Sequence, residues 1–409
     1  MRILGLIISL IVTLSATAKD IQLHSKAERI PYIQAAKVWN PPPKNLTPED
    51  IRRGPKAKGY AKLLLKPQVA CMTTPGDLEE LGGKTPKFEC QLLEHLNENR
   101  YRYIFKENGD RRVVKVKYHP PGEFNGEILG EILGTRLLWA LGFYADQMFY
   151  VDEVLCFGCS TDPFRSRKAY PAESGVRVRF HGAAIEKKIP GDNIEYSKGI
   201  LRKKPGSSEH IREEISAGGV SFAEMMKYLP KSHAHEERAQ RDALRLLAVF
   251  MQHVDLKADN QRLTCLETNE ENQCTNVAMM IHDIGTSFGV KTRNGLTRFR
   301  RVDLETWKNT PIWKNPTTCT AQLTQILPIA IAVKTMDASM ESPQISDEGR
   351  IFLAELLQNF SQNPSLVRAL FEAAHLSPQD IPQWIEAFQS KVEQIRFPLG
   401  RDHPQFHCP

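Results

Sequence analysis

Residues 253–260 read HVDLKADN, with the apolar helical run LRLLAVFM (244–251) before them and the strand-like QRLTCLE (261–267) after. A charged loop held between a helix and a strand sets two oxygen-bearing side chains, Asp255 and Asn260, five residues apart. A second short motif follows: IHDIGTSFG (281–289) puts Asp283 two residues before Gly285. QRLTCLE and VAMMIHDIG (277–285) read as a strand hairpin set among helices, so the hairpin would return Asp283 to the loop that carries Asp255 and Asn260. Capping of a strand–helix junction is the plain alternative for Asp255 and Asn260.

Upstream of this loop the pattern is mainly of strands. FECQLLEHL (88–96), RYRYIFK (100–106), the turn ENGD (107–110) and RRVVKVKY (111–118) predict a hairpin. In EFNGEILGEILGTRLLWALGF (123–143), Ile128, Ile132, Leu137, Leu138 and Leu141 recur at helical spacing and the run stops at Gly142. DQMFYVDEVLCF (146–157) is strand-like again. Downstream, SFAEMMKYL (221–229), ERAQRDALRLLAVFMQHV (237–254), DEGRIFLAELLQNF (347–360), PSLVRALFEAAHL (364–376) and DIPQWIEAFQSKVEQIRF (380–397) show helical spacing. The expected fold class is α+β.

Composition sets the outer limits. The 409 residues, a quarter of them charged, can bury a large core, and a net charge of +6 with basic and acidic residues interleaved is no nucleic-acid footprint. The opening MRILGLIISLIVTLSATAKD has one Arg, an apolar run from Ile3 to Leu14 and Ala16-Thr17-Ala18, which predicts a signal peptide over 1–18 and an exported, periplasmic or secreted protein. That run is short for a membrane span, and no later one reaches eighteen apolar residues. Export gives the eight cysteines a meaning, and proximity in sequence pairs Cys71 with Cys90, Cys156 with Cys159 and Cys265 with Cys274, leaving Cys319 for Cys408. A redox or metal role for CFGC (156–159) is the rival reading, but neither the strand–helix context nor a second C-x-x-C is visible.

Residues 19–60, basic and proline-punctuated in WNPPPKNLTPEDIRRGPKAKG (39–59), predict an extended arm on the surface. His233 and His235 in KSHAHEE read as a solvated loop.

The loop and the D-x-G motif resemble those of the protein-kinase-like superfamily, and the atypical branches more than the Ser/Thr/Tyr kinases. His253, Asp255, Leu256, Lys257 and Asn260 match H-R-D-L-K-x-x-N at its spacing. NGEILGEILGTRLLWALGF (125–143) is similar to the helix after the lysine strand in phosphatidylinositol kinases, HipA-type kinases and secretory-pathway kinases. PKF, VVKV, TRLLWALG and DLKxxN also resemble a set of exported bacterial proteins. The likeness runs from about Gly82 to Gly289 and implies a two-lobed kinase-like fold, with a strand-rich N-lobe over 61–188 and a helical C-lobe over 189–409.

That resemblance implies roles. Lys115 in VVKVKY would bind the ATP phosphates, although Lys117 shares its strand face, and Glu131 would be its ion-pair partner, with Glu127 one turn away as competitor. Asp255 would accept the acceptor's proton, Asn260 and Asp283 would hold Mg²⁺ or Mn²⁺, and His253 would be structural. No G-x-G-x-x-G precedes the lysine strand; Gly82 and Gly83 of LGGKTPKF, with Lys84 or Lys87 adding charge, are the nearest substitute. Val254 replaces the Arg of the motif and no A-P-E follows, so activation-loop regulation is not expected. The implied function is an exported ATP-dependent phosphotransferase acting on an unspecified protein or small-molecule acceptor. A nucleotide-binding pseudokinase, or transfer of AMP on the same fold, is the alternative; a metal-dependent hydrolase would leave the lysine strand unexplained.

Overall fold

The computed structural model describes residues 21–55, 62, 64–78, 85–97, 100–105, 111–171, 174–203, 208, 210–230, 232, 234–293, 298–323 and 337–409. The expected signal peptide, the ENGD turn, Gly82, Gly83, Lys84 and His233 lie outside the described residues. The fold is α+β.

The first sheet surrounds a compact hydrophobic core. After β1 (Ile21–Leu23) come β2 (Gln68–Met72), β3 (Lys87–Asn97), β4 (Arg100–Tyr103), β5 (Val113–Lys117), β6 (Gln147–Phe157) and β7 (Arg177–Lys187). β2 pairs with both β6 and β3, and β6–β7, β7–β5 and β5–β3 complete the circuit, so the sheet closes on itself. Closure satisfies the strand edges internally. Inside lie Phe88, Val114, Val116, Tyr118, Phe149 and Ile185, with the disulfides Cys71–Cys90 and Cys156–Cys159 among them.

One strand pairing differs from the sequence expectation. RYRYIFK and RRVVKVKY meet as expected next to the turn, in the antiparallel bridge Phe105–Arg111 with Arg112 N donating to Ile104 O (2.6 Å), but the pairing does not extend into β4 and β5, which follow end to end along β3 with Leu93 opposite Tyr103 and Gln91 opposite Val113. The long β3 offers both of them a continuous apolar edge, which a short isolated hairpin cannot match.

The second core is larger and helix-rich. α1 (Ile30–Ala35), α2 (Pro48–Arg53), α3 (Glu127–Leu141), α4 (Pro163–Ser166), α5 (Phe222–Lys227), α6 (Ala234–Phe250), α7 (Leu304–Asn309), α8 (Asp347–Ser361), α9 (Pro364–Ala373) and α10 (Ile381–Arg396) follow the chain, and α3, α6, α8, α9 and α10 supply about half of its apolar side chains. α3 ends where the sequence predicts: Gly142 is left-handed (φ 89°), and a Cβ there would meet Asn40 O at 2.1 Å.

A further sheet joins β1, β8 (Asp192–Lys203), β9 (His210–Ala217), β10 (Gln261–Thr268) and β11 (Cys274–Ile281). The β10–β11 hairpin is the one expected, stapled by Cys265–Cys274. β8 and β9 are not among the strands that the sequence predicts, because EYSKG is largely polar on both faces and Glu213 interrupts the apolar face of IREEISA. The fourth expected disulfide, Cys319–Cys408, also forms.

Residues 21–55 are not an extended surface arm. β1 pairs in parallel with β8, Ile33, Val38 and Ile51 are buried in the larger core, and Arg29 is fully buried, donating to Gly219 O at 2.6 Å. Prolines here start helices at their first positions, as in α2, instead of holding the chain extended. No helix among the described residues is long and apolar enough to cross a membrane.

Candidate functional site

The DLKADN loop and the D-x-G segment are zipped together through the backbone. Val254 N donates to Thr286 O (3.1 Å), Phe288 N to Met251 O (2.6 Å) and His282 N to Asn260 O (2.8 Å). β10 leaves the loop directly after Asn260 and β11 returns to His282, so the hairpin brings Asp283 back to the loop. Asn260 Nδ2 donates to Asp255 O at 2.7 Å, and no described hydrogen bond uses its amide oxygen. His253 is fully buried, with Nδ1 3.3 Å from Ser287 Oγ; burial lowers its pKa and leaves it neutral, although Asp255 and Asp283 both act on it.

α3 packs tightly onto this segment through glycine. A Cβ on Gly130 would lie 2.3 Å from Gly285 O, and one on Gly285 would lie 2.1 Å from Glu127 Cγ. Gly130 and Gly285 therefore let the first turns of α3 lie directly against the D-x-G backbone. Glu127 and Glu131, one helical turn apart, both face the strand sheet from there.

Lys117 meets them. Its ammonium donates to Glu127 Oε1 at 2.6 Å and to Glu131 Oε1 at 2.5 Å, and lies 3.7 Å from Asp283 Oδ1. Lys117 and both glutamates are nearly inaccessible, while about a third of the Asp283 side chain (34%) stays exposed. Burial alone would depress the lysine, yet Asp283, Glu127 and Glu131 hold its pKa well above the ordinary value. The carboxyls divide in the opposite sense. Burial pushes the Glu131 carboxyl well up despite Lys117, and a hydrogen bond shared with Asp283 pushes it the same way. Asp283, against its own burial, is held well below the usual range by Lys117 and by that bond. Glu127 is lowered because Lys117 and Arg301 outweigh its burial. Lys117 thus faces the carboxyls of Glu127, Glu131 and Asp283, with Arg301 beside Glu127 and Asp283 the most exposed of the three.

Lys115, expected in that place, is elsewhere. It bonds Glu186 Oε2 at 2.7 Å, its registered neighbour on β7, whereas Lys117 is registered opposite Ala184. The long Glu186 side chain captures the nearer ammonium, and the small Ala184 leaves Lys117 free to turn toward α3. Lys87 lies opposite Lys117 on β3 and is half-buried; burial, then Lys117 and Lys115, lower its pKa. Asp255 keeps Oδ1 buried without a hydrogen bond among the described residues, and its Oδ2 is 3.5 Å from Lys257.

Sequence reasoning missed Arg301, 3.5 Å from Glu127 and 3.3 Å from Thr286 Oγ1, and Thr85, whose hydroxyl bonds Glu127. No local signal marks either.

The donor set fits a divalent cation: the Asp283 carboxylate is ionised and partly exposed, and no described hydrogen bond uses the Asn260 amide oxygen. Glu127, Glu131 and Asp283 also bring one oxygen each within 4.8 Å of the others.

No protein-family model matches this sequence, and no curated protein does. Among solved structures the chain is similar to the proinflammatory kinase CtkA of Helicobacter pylori, at 11% identity over 74% of this chain and 91% of that one, with a TM-score of 0.33. At that score the likeness carries no argument, so the functional case rests on the side-chain geometry.

Proposed function

We propose that this chain is an ATP-dependent phosphotransferase with a two-lobed, protein-kinase-like fold, exported through residues 1–18. The observation that carries the reading is the Lys117 ammonium held between Glu127 and Glu131 of α3 and Asp283, beside the zipped DLKADN loop. Phosphoryl transfer is catalysed by position and charge, and needs a fixed cation on the phosphates, a metal held by carboxylate and amide oxygens, and a group to take the acceptor's proton.

Asp283 and Asn260 would hold Mg²⁺ or Mn²⁺, which when bound neutralises charge on the transferred phosphoryl group. Lys117 would take the role expected of Lys115, and Lys87, opposite it on β3, would add positive charge. Glu127 and Glu131 fix the lysine rotamer and keep it protonated. Asp255, whose buried Oδ1 has no hydrogen bond among the described residues, would accept a hydroxyl proton from the acceptor. The acceptor is a protein or small molecule presenting such a hydroxyl.

The test is incubation of the purified protein with Mg²⁺ or Mn²⁺ and ATP labelled separately in the γ-phosphate and the adenine. Movement of the γ-label supports phosphotransfer, movement of the adenine label points to AMP transfer, and metal-dependent binding without either makes the chain a pseudokinase.

A further inference from the structure

A second cluster lies outside the machinery just described. Asp146 precedes β6, Glu186 stands at the end of β7, and His282 follows β11; one ligating atom from each lies within 4.8 Å of the other two. Asp146 and Glu186 are both more than nine-tenths buried, and 12% of the His282 side chain is exposed. Nδ1 of His282 is 2.5 Å from Asp146 Oδ2. The other oxygen of each carboxylate is already anchored: Ile189 N donates to Asp146 Oδ1 at 2.9 Å, and Lys115 donates to Glu186 Oε2 at 2.7 Å. Glu186 Oε1 is left buried with no hydrogen bond among the described residues.

An orphaned carboxylate oxygen in a buried polar cluster calls for a ligand. The anchoring has the form found around metal ligands, where outer donors fix each carboxylate and leave one oxygen inward. We propose that Asp146, Glu186 and His282 form a binding site for a divalent transition ion of the zinc type. One imidazole nitrogen and two carboxylate oxygens make a three-ligand set of the size that zinc takes from proteins, while the nitrogen disfavours Mg²⁺ and Ca²⁺, which take oxygen. The metal would take Nδ1 of the neutral ring, whose proton then sits on Nε2, and a ring that carried two protons would release one to solvent. Two carboxylates then balance the charge of the ion, with the Lys115 ammonium outside. The ion would tie β6 and β7 to the residue directly before Asp283, and the site stands whether or not the chain transfers phosphate.

The experiment is titration of the EDTA-treated full chain with Zn²⁺ by calorimetry, without nucleotide, beside metal analysis of the dialysed protein and the visible spectrum of the Co²⁺ form. One Zn²⁺ per chain is expected, weakened about tenfold or more in Glu186→Gln and in Asp146→Asn and unchanged in Asp283→Asn. Should the variants not fold, the wild-type stoichiometry and a tetrahedral Co²⁺ spectrum with nitrogen ligation decide. Absence of stoichiometric Zn²⁺ binding in the wild type overturns the site. So does binding that survives both substitutions, which would place the ion at other histidines, or binding lost only in Asp283→Asn, which would place it at the Lys117 cluster.

Discussion

Lys117 and Lys115 stand two residues apart on one face of β5, yet only Lys117 reaches the α3 carboxylates, while Lys115 is held by Glu186. The choice is made by the β7 residues opposite them, Ala184 and Glu186. Replacing Lys117 by Met strands buried carboxylates without their cation and is expected to cost roughly 3–5 kcal/mol of stability, with loss of transfer. Lys115→Met should keep transfer within about tenfold of wild type, since it touches none of the α3 groups. Denaturant melts and turnover of the two variants side by side check this; the reverse ranking would return the phosphate role to Lys115.

Asp283 and Asp255 should separate binding from turnover. Asp283→Asn is expected to abolish metal-dependent nucleotide binding, because its carboxylate carries the charge that a cation would meet. Asp255→Asn should bind Mg-ATP nearly as wild type and lose roughly a hundredfold to ten-thousandfold in turnover, the range for a general base. Calorimetry beside a rate assay distinguishes them, and equal binding by wild type and Asp283→Asn would remove the metal role from the D-x-G motif.

The approach of α3 to the D-x-G segment can be probed through glycine. Gly130→Ala puts a methyl 2.3 Å from a backbone oxygen that cannot give way cheaply, so a loss of about 1–3 kcal/mol is expected, together with weaker Mg-ATP binding. Gly76→Ala meets nothing within 4 Å and should change stability by less than about 0.5 kcal/mol. Chemical denaturation of both variants tests the contrast.

Lys391 of α10 gives the stability a pH dependence remote from the site. It is 1% exposed, donates to Thr310 O at 2.6 Å, and burial pulls its pKa down to about 7. An unfolded lysine titrates at about 10.4. Between these values the unfolded chain binds more protons than the native one, so this residue makes stability rise with pH from about 7 to about 10, its penalty being complete below about 7. Melting temperatures across that range should rise less steeply in Lys391→Met than in wild type. An unchanged slope would refute the assignment.

What the sequence by itself determined is local in origin. The α+β class followed from two hydrophobic periods. The α3 helix and its stop at Gly142 followed from apolar spacing and a left-handed terminus. The β10–β11 hairpin, and with it the return of Asp283 to Asp255 and Asn260, followed from two short strands joined by a cysteine-closed turn. Three disulfides followed from proximity along the chain, and Cys319–Cys408 from being the two cysteines left over.

Tertiary structure alone decided what depends on register and on distant neighbours. Two lysines on one strand face look alike until Ala184 and Glu186 are set opposite them. Glu127 and Glu131, one turn apart, both reach Lys117, and only their unequal surroundings, with Arg301 beside Glu127 and Asp283 beside Glu131, shift one carboxyl down and the other up. The proline-rich start reads as an arm until β8 offers β1 an edge. Asp146, Glu186 and His282 are far apart in sequence and share no motif, so no spacing rule could join them. Periodicity and turn chemistry act over a few residues, whereas pairing register and burial are set by whatever the rest of the chain brings alongside.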